Sequence, residues 1–222
     1  MSLMQQHALP PDEIYRRSFA TVDALLPKKW SPEERAVITR IIHATGDVQL
    51  AEHVLFKPDA IARGLIAIAR QARIFTDVSM VAAGINKPLA QFHHCPIESL
   101  LDQPGLEQLA SAQNITRSAA AVIEALPRLG GNIIVIGNAP TALLALLDAL
   151  DEERCEFPAL IIGMPVGFIA TRESKEALWK RPYPAITIEG TRGGSPAAAA
   201  TVNALMTLAR KKLEIQLAIG DS

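Results

Sequence analysis

What the chain does without already narrows its chemistry. Its two cysteines, Cys95 and Cys155, lie far apart with no CxxC spacing. A disulfide framework, a thiolate zinc site and a dithiol redox centre are therefore not expected, and a reducing cytosol is the default compartment. No stretch approaches the roughly 20 apolar residues of a membrane span, and the N-terminus lacks the basic-then-apolar order of a secretory signal. A soluble, cytoplasmic protein is expected. An excess of one charge is missing too: 22 Lys and Arg face 23 Asp and Glu, for a net charge of -1. No global field draws in nucleic acid or an anionic membrane, so an anionic ligand must be held by local groups. There is no GxxxxGK[ST] phosphate loop and no GxGxxG after a strand, which argues against a nucleoside triphosphatase or a dinucleotide-dependent dehydrogenase. No internal repeat or low-complexity linker divides the chain.

What is present suits one large α/β domain over residues 1–222, because 222 residues that are 49% hydrophobic can bury a full core. Met1-Ser2-Leu3 before a second methionine, Met4, has the look of a vector-derived leader, and residues 1–10 are expected to be flexible. After Pro10-Pro11, Ile14, Phe19, Val22 and Leu26 share one helical face, and the helix ends near Pro27. Ser31-Pro32-Glu33-Glu34 reads as a capping box with proline at the first helical position, followed by the stripe Val37, Ile38, Ile41 and Ile42 running into His43. Asp59 is placed to cap a third helix with Ile61, Leu65, Ile66 and Ala69 inward. Beyond it, strands are predicted near Arg73 to Val78, Gln91 to Cys95, Asn132 to Ile136, Ala159 to Gly163 and Ala185 to Glu189. Helices are predicted near Leu106 to Gln113, Arg117 to Leu126, Thr141 to Leu150, Glu173 to Trp179 and Pro196 to Leu213. Such alternation gives a largely parallel, Rossmann-like sheet with helices on both faces, preceded by N-terminal helices.

Ligands of open α/β sheets bind beyond the carboxyl ends of the strands, and there the sequence is unusual. Thr76-Asp77-Val78-Ser79-Met80, Gly137-Asn138-Ala139-Pro140-Thr141, Gly163-Met164-Pro165-Val166-Gly167-Phe168 and Gly190-Thr191-Arg192-Gly193-Gly194-Ser195 follow successive predicted strands. Ordinary turn chemistry explains any one of them; four together suggest shaped walls around a ligand. Among five histidines, His43 ends an apolar helix and enters the glycine turn Ala44-Thr45-Gly46-Asp47, a place for acid-base work near neutral pH or, as the competing reading, for a structural histidine. His53 does not share its helical face, so no metal pair is indicated, and His93-His94-Cys95 reads as structural because neighbouring strand residues point to opposite faces. Arg16, Arg17, Arg40, Arg117 and Arg192 flank the odd segments and offer bidentate contacts to carboxylates.

Arg40-Ile41-Ile42-His43-Ala44-Thr45-Gly46-Asp47, Thr76-Asp77 with Met80-Val81-Ala82-Ala83-Gly84, Thr116-Arg117-Ser118 and Gly137-Asn138-Ala139-Pro140-Thr141-Ala142-Leu143 resemble the precorrin-8X methylmutase family. Pro165-Val166-Gly167-Phe168, Glu173-Ser174-Lys175-Glu176 and Gly193-Gly194-Ser195 to Val202-Asn203-Ala204-Leu205 follow in the same order, so the resemblance covers nearly the whole chain after Pro11. It implies an isomerase of cobalamin biosynthesis that shifts a methyl group from C-11 to C-12 of a corrin precursor, without redox change, metal or other cofactor. It also implies that His43 is the catalytic acid-base group and that the protein is a homodimer. The corrin precursor carries several carboxylates. Its expected binding residues are Arg17, Arg40, Thr45, Thr76, Asp77, Arg117, Asn138, Val166, Phe168 and Ser195, with Arg117 and Arg17 the leading carboxylate anchors. A non-catalytic corrinoid carrier is the rival; it uses the same arginines without needing His43. A Rossmann-like oxidoreductase lacks its fingerprint, and an interaction module leaves the glycine-rich strand ends idle.

Overall fold

The computed structural model describes residues 9–220, so most of the expected flexible leader lies outside the described residues; Leu9 and Pro10 precede the first helix without regular structure. Helix α1 (Pro11–Leu25) is followed by α2 (Pro32–Thr45). The predicted capping box is formed: the Ser31 side chain accepts from the Glu34 backbone N–H, and the Glu34 carboxylate accepts from the Ser31 N–H. Such a cap is worth about 1 kcal/mol. Gly46 closes the same helix at φ 71°, a left-handed turn that a glycine adopts without a Cβ penalty.

A 3-10 turn (Val48–His53) leads into β1 (Val54–Phe56), α3 (Ala60–Ala69), β2 (Ile74–Thr76), α4 (Ser79–Gly84), α5 (Lys87–Phe92) and β3 (Ile97–Ser99). Then come α6 (Leu106–Gln113), α7 (Arg117–Ala125), β4 (Ile133–Ile136), α8 (Pro140–Asp151), β5 (Leu160–Gly163), α9 (Thr171–Lys180), β6 (Ala185–Ile188) and α10 (Ser195–Gly220). The six strands lie in the order β1-β6-β5-β4-β2-β3, all parallel except β1, which runs antiparallel to β6 at the edge.

The central strands β2, β4, β5 and β6 are buried on both faces, the edge strands β1 and β3 only in part, and the alternation along the central strands sorts two cores. Ile74, Ile133, Val135, Leu160 and Ile162 pack with α2, α3 and α10, while Phe75, Ile134, Ile136 and Ile161 pack with α6 to α9. Because β3 and β4 lie on opposite sides of β2, the chain changes direction there, and the loops after β2 and β4 flank a crevice at the carboxyl edge.

Three expectations are corrected. Gln91 to Cys95 is not a strand: Asn86 caps a helix by accepting from the Leu89 N–H, Pro88 fits its first turn, and His94 turns the chain at φ 53° before β3 begins at Ile97. Asp59 sits before α3 at φ 61° but makes no side-chain cap, and that helix buries Gly64, Leu65, Ala67 and Ile68 while Ile66 is exposed. The edge strand β1 and the short helix α4 also stand where no element was predicted.

Candidate active site

His43 lies in the last turn of α2, half-buried, at a cleft of about 400 Å³. Three elements besides α2 wall this cleft: Tyr15 from α1, Met80 and Gly84 from α4, and Ser195, Ala199 and Asn203 from α10. Close approach of α4 to α10 depends on Gly84, where a Cβ would lie 2.8 Å from that of Ala199. Asn203 fixes the same junction from α10, donating to the Gly84 carbonyl at 2.9 Å and accepting from the Asn86 N–H at 2.7 Å.

The imidazole is held on one edge and packed against two aromatic rings of α1. His43 Nδ1 lies 2.8 Å from Ser18 Oγ, and the rings of Phe19 and Tyr15 stand 4.8 and 5.6 Å from the His43 ring, tilted by 31° and 35°. Ser18, Phe19 and Tyr15 occupy one face of α1. Among the described residues nothing bonds His43 Nε2, the other nitrogen able to exchange a proton. Arg40, one turn back on α2, stands over Phe19 with its guanidinium carbon 5.5 Å from the ring centroid, and it forms no ion pair among the described residues. Burial pulls the Arg40 pKa below its ordinary value, the Tyr15 phenol acting the other way. The guanidinium remains charged and available to an anion.

The crevice between the β2 and β4 loops is filled from within. Asp77 is buried, and its carboxylate accepts from the backbone N–H groups of Gly137, Asn138 and Ala139 at 3.0, 2.8 and 2.9 Å. Burial pushes this carboxyl above the usual carboxylate range, while those N–H groups and that of Val78 pull it down. Thr76 is also buried, its hydroxyl on the Val78 and Glu98 carbonyls. Both residues shape the loop beside the cleft; a Cβ on Gly137 would come within 3.0 Å of the Ser195 Cα.

The loop after β6 is built against the loop after β5. Gly194 donates to the Met164 carbonyl at 2.8 Å and Gly167 to the Thr191 carbonyl at 3.2 Å. At Gly193, φ 146°, a Cβ would stand 2.5 Å from the Met164 oxygen, so this approach requires glycine. Lys175, buried on α9, donates to the Arg192 carbonyl at 2.6 Å, and burial lowers its ammonium to about 8. Arg192 itself reaches back to Asp47 at 3.3 Å and Gln49 at 3.2 Å.

Of the residues expected from sequence, His43, Arg40 and Ser195 thus share one cleft. Thr45 borders it, but its hydroxyl bonds back to the Ile41 carbonyl at 2.9 Å. Asn138 is tied by its backbone to Asp77 with its side chain exposed, and Val166 and Phe168 protrude on the adjoining loop, Phe168 93% exposed. Arg117 is apart on the opposite face of the sheet, at the N-terminus of α7, 3.5 Å from Glu107. Arg17 is exposed on α1 and shares the Glu13 carboxylate with Arg16. His93 is buried with Nε2 on the Met206 carbonyl at 2.8 Å. Tyr15 and Ser18 were not anticipated: their spacing with Phe19 marks one helical face, but nothing local indicates that this face meets His43.

Fold and cleft place the chain among α/β enzymes that work at the carboxyl edge of a parallel sheet. A family model described as precorrin-8X methylmutase matches residues 13–208. The precorrin-8X methylmutase of Pseudomonas aeruginosa is 42% identical over 200 residues, covering 87% of this chain and 94% of the relative. The cobalt-precorrin-8 methylmutase of Priestia megaterium is 37% identical over 200 residues, covering 90% and 88%. A crystal structure of precorrin-8X methyl mutase from Thermus thermophilus aligns with a TM-score of 0.84 at 39% identity, over 90% of this chain and 97% of that one. The chain belongs to the precorrin-8X methylmutase family, and its activity is that of a methyl-shifting isomerase in cobalamin biosynthesis.

Proposed function

We propose that this chain, as one α/β domain, moves a methyl group from C-11 to C-12 of a corrin precursor, converting precorrin-8X to hydrogenobyrinate or cobalt-precorrin-8 to cobyrinate. His43 is the proton carrier. The observation that carries this reading is the placement of His43 beside Arg40 in one cleft, with Nδ1 engaged and Nε2 unbonded among the described residues. From Nε2 the imidazolium gives a proton to the macrocycle, which makes the ring electron-poor and favours migration, and the neutral imidazole then takes it back. The reaction is an isomerisation with no net change of atoms or electrons. The ring lies along the carboxyl edge against Val166 and Phe168, its carboxylates toward Arg40, Arg117 and the N–H groups opening α10 at Ser195.

The protein works in the cytoplasm as a homodimer. Among the described residues no helix is long and apolar enough to cross a membrane. The pair Phe168 and Ile169, 93% and 86% exposed, supports a second subunit as the cover for this loop. In the test, each substrate is supplied to wild type and to His43→Ala, and the product is followed by its absorbance. His43→Ala is expected to keep its fold and bind product while turnover falls about 10²- to 10⁴-fold. Near-normal turnover would remove His43 from the mechanism and favour the carrier reading.

A further inference from the structure

Ser18 makes a bond that its helix does not explain. The hydroxyls of Thr45, Thr201 and Thr207, also within helices, bond back to the carbonyl four residues earlier, at Ile41, Ala197 and Asn203. The Ser18 hydroxyl is instead 2.8 Å from Nδ1 of His43, 25 residues away. Serine inside a helix is a weaker helix former than alanine, so the residue is not there for helix stability.

We propose that Ser18 is a positioning residue that holds His43 as the Nδ1–H tautomer, so that Nε2 is the one atom through which the proton leaves and returns. The proposal rests on His43 as proton carrier. In the imidazolium, Nδ1–H donates to Ser18 Oγ and Nε2–H faces the substrate. After transfer, Nδ1–H still donates to the same oxygen and the lone pair is left on Nε2, ready to recover the proton without a ring flip. Without this acceptor a neutral imidazole is free to carry its proton on Nε2, where the base is needed. The Phe19 and Tyr15 rings packed against the imidazole oppose rotation.

A hydroxyl differs from a carboxylate in this role. A carboxylate on Nδ1 would stabilise the imidazolium and hold the proton back, whereas neutral Ser18 orients the ring without adding charge. The titratable or charged groups lining the cleft are Tyr15 on α1 and Arg40 on α2; α4 contributes Met80 and Gly84, and α10 contributes Ser195, Pro196, Ala199, Ala200 and Asn203, all neutral. Asp47, beyond the end of α2, is turned to Arg192.

The test compares wild type, Ser18→Ala, Ser18→Thr and His43→Ala by nitrogen-15 NMR of labelled histidine, with the His43 signal assigned from its loss in His43→Ala. Turnover is measured on the same proteins across pH. Ser18→Ala is expected to shift the neutral ring from Nδ1–H toward Nε2–H and to lower kcat roughly three- to tenfold, the worth of one hydrogen bond, with KM unchanged; Ser18→Thr restores both. A Ser18→Asp protein is expected to move the alkaline limb of the kcat profile to higher pH, because the imidazolium is the form that gives the proton. The proposal is overturned if Ser18→Ala leaves the tautomer unmoved, if kcat does not fall with it, or if the threonine protein behaves like the alanine one. Near-normal turnover of His43→Ala instead overturns the reading of His43 itself, so the two failures are separable.

Discussion

Arg40 and Arg17 stand on neighbouring helices and differ in what they have left to offer a substrate. Arg17 spends its charge on Glu13 in solvent, whereas Arg40 lines the His43 cleft, half-buried over Phe19, with no carboxylate beside it among the described residues. From the sequence Arg17 is expected to rank above Arg40 as a carboxylate anchor, with neither burial nor ion pairing visible there. Burial and pairing reverse that order. Arg40→Ala is expected to weaken binding of a product analogue about tenfold or more, since one charge-assisted contact is worth on the order of 1.5 to 3 kcal/mol. Arg40→Lys should recover only part, having lost the planar fork. Arg17→Ala should change affinity less than about twofold, because an exposed pair of this kind contributes little. Absorbance titrations with the free-acid and the amidated analogue check this; an Arg40→Ala protein that binds the acid as tightly as wild type would remove Arg40 from recognition.

Elements marked by local chemistry were legible in the sequence, and elements marked by distant partners were not. The Ser31–Glu34 box, the apolar stripe of α2 and the continuous runs of β4 and β5 carry their own instructions, and they form where expected. The edge strand β1 has three residues and exists because β6 pairs with it; Gln91 to Cys95 has strand-like composition but follows the cap and proline of α5. In the same way, Asp77 reads as a substrate contact until the three N–H groups that surround it are seen. Lys175 on α9 is a further instance, since its partner is a carbonyl in another loop. Its native ammonium titrates near 8 against an ordinary 10.5. Below about pH 8 both states hold the proton and the native state carries the whole cost of burying it. Between pH 8 and 10.5 the unfolded chain still binds a proton that the native one has released, so stability attributable to this group rises with pH. Denaturant unfolding of wild type against Lys175→Met should show wild type gaining on the variant across that window; parallel curves would mean that the ammonium is not buried at this cost.

At the scale of the whole molecule, the carboxyl edge is walled on one side by α1, α2 and α10 and on the other by protruding loops. Phe168 and Ile169 project side by side from the loop after β5, more exposed than other large apolar residues described, and Val166 beside them is 45% exposed. Two adjacent apolar side chains at a loop tip are costly to leave in water, each being worth about 1.5 to 3 kcal/mol when fully covered. A flat macrocycle resting on Val166 shields only what it touches, and a second subunit is the cover that can enclose both the tip and the ring. The expected oligomer is therefore a homodimer in which this tip is buried, and replacing Phe168 and Ile169 together with aspartate should yield a folded monomer with an intact far-ultraviolet spectrum. Sedimentation and light scattering read the mass, and turnover read on the same samples tells whether the second subunit completes the site. If wild type is itself a fully active monomer, the shared cover is wrong and these two side chains serve the substrate alone. If the double variant stays dimeric, the interface lies elsewhere on the surface.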